Sequence, residues 1–116
     1  MLTSLVERAR GARGAIFCDS EGESVELVLR DTQLSEYEMK VFGAQLAAVW
    51  IGLTTTAKDH GAGALLEVRV ACPQGTLLCR SLPDGYYVVL LIGHGSPAAS
   101  AAFALRATAR EIASEL

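Results

Sequence analysis

The sequence predicts an α+β sandwich. One five-stranded antiparallel sheet carries a long helix on one face and the N- and C-terminal helices on the other, in the order αββαβββα. Three observations carry this reading. Val41 to Ala57 contains no charged residue, yet helix signals frame it at both ends. Val88 to Ile92 is apolar at every position, the pattern of a strand covered on both faces. Two tight turns, Pro73-Gln74-Gly75 and Pro83-Asp84-Gly85, divide the stretch from Ala64 to Gly93 into three short strands.

Taken in order, Ser4 and Glu7 form a capping-box pattern that would open a short first helix ending near Gly11. Gly14 to Asp19 is a short apolar run, and Ser20-Glu21-Gly22-Glu23 is a turn. Ser24 to Arg30 alternates Val25, Leu27 and Leu29 against Glu26 and Arg30, so the two runs make a β-hairpin. Ser35 with Glu38 is a second capping box, and Leu34 with Met39 is its hydrophobic staple. They open a helix from Glu36 to Asp59, which Lys58, His60 and Gly61 close.

At 100° per residue, Met39, Phe42, Leu46, Val49, Trp50, Leu53 and Ala57 share the face expected to lie on the sheet. Tyr37, Val41, Ala44, Ala48, Ile51 and Thr55 share the opposite face, which is also largely apolar but mostly smaller. Strands then follow at Ala64–Cys72, Thr76–Leu82 and Tyr86–Gly93. The last strand is central if it pairs with both the first strand and its hairpin neighbour, which leaves the second and third strands as edges. Ser96 as N-cap and Pro97 at the first helical position start the final helix. Its stripe of Ala98, Ala101, Ala102, Leu105, Ala109, Ile112 and Leu116 lies opposite Arg106, Arg110 and Glu115.

A chain of 116 residues fits a single domain spanning residues 1–116. With 51% apolar residues it is no disordered linker, and a net charge of −3 gives no reason to expect nucleic acid or an anionic membrane as partner. Between Asp19 and Glu38 stand seven acids and one base, read as a solvated hairpin and helix start or as an acidic edge that steers a basic partner. Cys18, Cys72 and Cys79 make an odd count without metal-ligand spacing, which points to a reducing compartment. Glu7, Arg8 and Arg10 interrupt the N-terminus too early for a signal peptide, so a cytoplasmic location is expected. Gln45, two glycines and three threonines argue against a membrane span at Val41–Ala57.

Enzyme signatures are thin. The chain has no phosphate loop, dinucleotide fingerprint, nucleophile elbow or zinc-protease motif. Gly93-His94-Gly95-Ser96 reads as a strand-to-helix connection. His60 suits a helix end, and Cys18 a buried strand position. Arg8, Arg10 and Arg13 read as solvated rather than as an arginine finger. Trp50, the single tryptophan, is either core or a partner anchor. No catalytic residue, metal ligand or cofactor is expected, and the chain is not read as an enzyme.

The second apolar helix face is a surplus that a domain of this size cannot cover alone. The face of Tyr37, Val41, Ala44, Ala48, Ile51 and Thr55 is self-complementary in a two-fold contact, so a dimer through this helix is expected.

The chain resembles the roadblock / dynein light chain domain family, in its bacterial small-GTPase regulator type. The resemblance rests on GAIFCDSEGESVEL (Gly14–Leu27), on YEMKVFGAQLAAVWIGLTTTAKDHG (Tyr37–Gly61), and on EVRVACPQGTLLCRSLPDGYYVVLLI (Glu67–Ile92) followed by a terminal helix. It implies a non-catalytic homodimer or heterodimer whose middle helices pack together. It also implies that the third strands pair across the dimer, which brings Glu67 and Arg69 into the interface, with Pro73 stopping the pairing after Cys72. As a partner it implies a Ras-like small GTPase whose nucleotide state or position is modulated. The docking surface would be the ridge of the paired helices at Glu36, Lys40, Ala47, Trp50 and Thr54. Two other readings stand beside it: an adaptor that clamps a peptide by strand addition at Ser24–Arg30, and an α/β domain that senses a small ligand between helix and sheet.

Overall fold

A computed structural model describes residues 1–116. Its elements are α1 (Leu2–Arg8), β1 (Ala12–Cys18), β2 (Ser24–Leu29), α2 (Glu36–Asp59), β3 (Glu67–Cys72), β4 (Gly75–Ser81), β5 (Tyr87–Gly93) and α3 (Ala98–Ala113), with a single 3-10 turn at Pro83–Gly85 between β4 and β5. The sheet order is β2-β1-β5-β4-β3, and every pairing is antiparallel. The unalternated run Val88–Ile92 therefore lies in the central strand, fully buried along its length, with β2 and β3 as the edges.

Two cores flank the sheet. The larger joins Leu2, Leu5 and Val6 of α1, and Ala101, Ala102, Leu105, Ala109 and Ile112 of α3, to Ala15, Leu78, Val88, Leu90 and Ile92. The smaller joins Leu34, Met39 and Leu46 around α2 to Ile16, Cys18, Cys79, Tyr87, Val89 and Leu91. The expected division of helices between the two faces is thus observed. Alternation in β5 sends Val88, Leu90 and Ile92 to one core and Tyr87, Val89 and Leu91 to the other.

Turn chemistry fixes the links. The Asp19 carboxylate accepts hydrogen bonds from the Glu21 and Glu23 N–H groups at 2.9 and 3.0 Å, which closes the β1–β2 turn. At the β4–β5 turn, Asp84 and Gly85 both take positive φ, 61° and 81°. Gly11, at φ +80°, lies where any Cβ would fall 1.8 Å from Ser96 Oγ. This close approach packs the α1–β1 junction onto the β5–α3 junction, and the Gly93 N–H donates to the Gly11 carbonyl at 2.9 Å.

Three boundaries differ from expectation. Helix α1 begins at Leu2 with no side-chain cap, so Ser4 lies inside it rather than at its start. Burial of Leu2 beside Leu5 and Val6 decides this, since packing of an apolar side chain outweighs a capping bond of about 1 kcal/mol. Strand β3 begins at Glu67 rather than Ala64. Helix α3 begins at Ala98, with Pro97 as N-cap and no side-chain cap bond from Ser96, and it ends at Ala113.

The cysteines are all free. Burial pushes the Cys18 thiol up to about 11 and the Cys79 thiol up to about 12, so neither forms the thiolate at neutral pH. In a thiol-exchange titration at pH 8, Cys18 and Cys79 should stay unmodified until denaturant unfolds the chain. Rapid native labelling of either would contradict the burial of both.

Candidate functional site

The candidate site is the free surface of α2, and its geometry follows from how the helix is attached. The capping box is complete: the Glu38 N–H donates to Ser35 Oγ at 3.0 Å, and the Ser35 N–H donates to Glu38 Oε1 at 3.1 Å. Leu34 and Met39 are both buried in the core beneath, as a staple requires. One turn later Gly43 sits against β1, where a Cβ would fall 3.0 Å from Cys18 Sγ. Only a residue without a side chain lets the helix approach so closely. The Tyr87 hydroxyl then donates to the Gly43 carbonyl at 2.7 Å, pinning helix to sheet.

That attachment stops half-way. In α2 only Met39, Gly43 and Leu46 are fully buried. A helix of 24 residues is about 36 Å long, whereas strands of six or seven residues span only about 20–24 Å. In the C-terminal half only Trp50 packs at the margin of the smaller core. Val49 and Leu53, expected on the sheet side, are 47% and 42% exposed. Ile51 on the opposite face is 65% exposed, and Tyr37 is 76% exposed. The hydroxyls of Thr55 and Thr56 donate back to the Ile51 and Gly52 carbonyls at 3.1 Å, so they add little outward polarity. The helix ends as the sequence indicates: His60 is the C-cap, Gly61 has φ +71°, and the Ala62 N–H donates to the Ala57 carbonyl at 2.8 Å.

A strip of sheet beside this helix is also bare. Helix α2 lies chiefly over β1 and β2; Cys79 of β4 is buried in the core beneath it, but Val70 and Cys72 at the far end of β3 are exposed. There Phe42, Val70, Cys72, Leu77 and Leu91 line a recess of about 150 Å³. A protruding apolar helix and an uncovered apolar strip thus share one face of the molecule.

The expected site residues fall as follows. Tyr37, Ala44, Ala48, Ile51 and Thr55 are exposed on α2, and Val41 is half-buried. Glu36 and Lys40 are exposed and form an i,i+4 ion pair at 3.1 Å, and Thr54 is exposed farther along. Ala47 is half-buried against Gly22 of the β1–β2 turn rather than standing on an outer ridge. Trp50 is half-buried at the margin of the smaller core.

Arg69 is exposed on β3, but Glu67 is turned toward α3. Its carboxylate accepts from Arg69 Nε at 3.0 Å, from Arg106 Nε at 3.3 Å and from Arg80 Nη1 at 3.5 Å. This cluster of three guanidinium groups on one carboxylate is not apparent from the sequence. Arg80 and Arg106 stand 13 and 39 residues from Glu67 along the chain, and only cross-strand register with Arg80 could have indicated it. Of the three arginines near the N-terminus, Arg13 pairs with Asp31 at 2.6 Å, and Arg8 donates to Thr108 Oγ1 at 2.9 Å.

Comparison with known proteins bears on the fold. Neither a scan of family models nor a search of curated proteins finds a match. Solved structures do match over nearly the whole chain. A Roadblock/LC7 domain from Streptomyces avermitilis superposes with a TM-score of 0.84 at 15% identity, over 96% of this chain and 90% of its own. The fold is the Roadblock/LC7 fold. Among other structures with the roadblock fold, the gliding protein MglB from Thermus thermophilus has a TM-score of 0.85 at 15% identity, covering 97% of this chain and 82% of its own. MglC from Myxococcus xanthus has a TM-score of 0.72 at 25% identity, covering 99% and 95%. No helix of this roadblock fold is long and apolar enough to cross a membrane.

Burial raises the Glu67 pKa, but hydrogen bonds and charge from Arg69 and Arg106 outweigh it and hold the carboxyl below the usual glutamate range. A depressed folded pKa contributes stability that is present above the ordinary glutamate value and is lost as pH falls through the folded one. Glu67→Gln should therefore lower stability at pH 7 by about 1 kcal/mol and flatten the decline below pH 4.5 in urea titrations. An unchanged acid slope would show that the cluster does not contribute.

Proposed function

We propose that this chain is a non-catalytic dimeric scaffold that binds a Ras-like small GTPase and modulates its nucleotide state or position in the cytoplasm. The observation that carries the reading is the unpartnered apolar half of α2, set beside the bare strip of β3 and β4. Roadblock structures with the same helix and sheet include gliding proteins, MglB among them, which supports a regulatory rather than a chemical role.

Dimerisation is the first step of the reading. Exposed Tyr37 and Ile51, with the small residues Ala44 and Ala48 on the same helix face, allow close approach of a second helix. Burying roughly 300 Å² of apolar surface per copy stabilises a pair by on the order of 10 kcal/mol before association costs. A two-fold contact places the same face against itself, so one sequence supplies both halves. The outer edge of β3 is unpaired, so the sheets of the two copies can join there as far as Cys72, beyond which Pro73 has no N–H to offer. Glu36, Lys40 and Thr54 then flank the helix pair on the side offered to the GTPase, with Trp50 at its margin.

Ala48→Glu should convert the dimer to monomers or to aggregates, because it places a carboxylate in the helix contact while leaving the sheet-facing residues untouched. A dimer of normal mass from this variant in multi-angle light scattering would remove the interface. For the partner, single-turnover GTP hydrolysis by a Ras-like GTPase encoded beside this chain should change by about tenfold or more when the protein is added, or the two should co-purify. Neither binding nor a rate change would defeat the regulatory reading.

A further inference from the structure

The β2 edge lies at the opposite end of the sheet from β3 and takes no part in the α2 surface. The Arg30 N–H donates inward to the Arg13 carbonyl at 2.9 Å. Alternation along an antiparallel strand therefore turns the backbone groups of Leu27 and Leu29 outward, away from β1, as far as the register shift that leaves Val25 unpaired between Ser24 and Glu26. This edge has no proline and no lysine, and its one interruption is the register shift at Val25, which is 56% exposed; from Glu26 to Leu29 the pairing is regular.

Two recesses flank β2 on the face shared with α1 and α3. One, of about 210 Å³, is lined by Met1, Phe17, Glu26, Ile112, Glu115 and Leu116. The other, of about 340 Å³, is lined by Thr3, Val6 and Glu7 of α1 together with Val28 and Arg30. Glu26 and Val28 are two residues apart on one strand face, about 7 Å, which is also the spacing of alternate side chains in any strand laid beside them. The first recess has an apolar floor and two carboxylates at its rim. It fits a long aliphatic stem with a cationic head. The second is mainly apolar, and its cation, Arg30, already donates to the Val6 carbonyl at 3.0 Å.

We propose that the β2 edge binds an extended segment of a second protein by strand addition. The segment carries a basic residue for the Glu26–Glu115 recess and an aliphatic residue at an alternate position for the Val6–Val28 recess. Backbone bonds to Leu27 and Leu29 supply affinity, and the two recesses supply the choice of side chain. Charge selects the occupant. Glu21 and Glu23 in the adjoining turn add to Glu26, so a basic segment is attracted, whereas a second copy of this acidic edge is repelled. The site is independent of α2, and its failure would leave the helix-mediated dimer standing.

The test uses a dye-labelled peptide of roughly eight residues, alternating threonine and valine with one arginine on the recess-facing side, read by fluorescence anisotropy. One control peptide has glutamate in place of arginine, and another has proline at a backbone-bonding position. The arginine peptide should bind and both controls should fail. Leu27→Pro, which removes an outward donor in the regular part of the strand, and Glu26→Lys should each weaken binding by about tenfold or more, and Glu26→Lys should shift preference to the glutamate peptide. Equal binding of the proline control, or unchanged affinity in Leu27→Pro, would reduce the effect to surface charge and overturn strand addition. A change in oligomeric state in Leu27→Pro would assign the edge to a second copy and overturn it as well, as would absence of binding by the arginine peptide.

Discussion

A helix longer than the sheet beneath it governs the rest of this structure. Its N-terminal half is held by the Ser35–Glu38 capping box, by Met39 and Leu46 in the core, and by the Tyr87 hydroxyl on the Gly43 carbonyl. Its C-terminal half buries no residue fully. Isolated helical segments of about a dozen residues are marginal in water, so this half draws its stability from continuity with the anchored half and from its Gly61 closure. The apolar side chains it exposes are a property of length as much as of sequence pattern.

The two faces of the sheet solve different problems. On the α1 and α3 side, small residues such as Ala101, Ala102 and Ala109 bring α3 close to β4 and β5, and the core there is nearly complete. On the α2 side the cover extends over β1 and β2 and leaves Val70 and Leu77 at the rim of a recess. One layer closes the monomer and the other leaves it open. This asymmetry gives the α2 side a defined apolar surface that the α1 and α3 side lacks.

Much of this was legible in the sequence because local signals and burial agree. Val88–Ile92 lacks alternation and is the central strand; Ser35, Glu38, His60 and Gly61 mark both ends of α2; the two glycine turns separate β3, β4 and β5. What escaped was long-range or quantitative. A helical wheel gives the direction of Val49 and Leu53 but not where the strands beneath them end. Ala47 points outward until the β1–β2 turn leans against it at Gly22. Glu67 and Arg69 read as neighbours on one strand face, but the arginines at 80 and 106 that also reach Glu67 come from another strand and from a helix. The Ser4–Glu7 pattern misled because buried Leu2 drew the helix start forward. Of the expected surface residues, those set by helical phase alone, such as Ala48 and Ile51, are exposed as read, and those that depend on a third element are not.

The detached half of α2 has a further consequence for how the protein responds to its own abundance. Few tertiary contacts hold that segment, so it belongs to the low-stability end of the molecule and its amide protons should exchange well before those of the sheet. In the proposed dimer a second copy that covers it would couple its ordering to concentration by mass action. The segment would then act as a gauge: loosely held when copies are scarce, firm when companions are plentiful, with the central strands unaffected throughout.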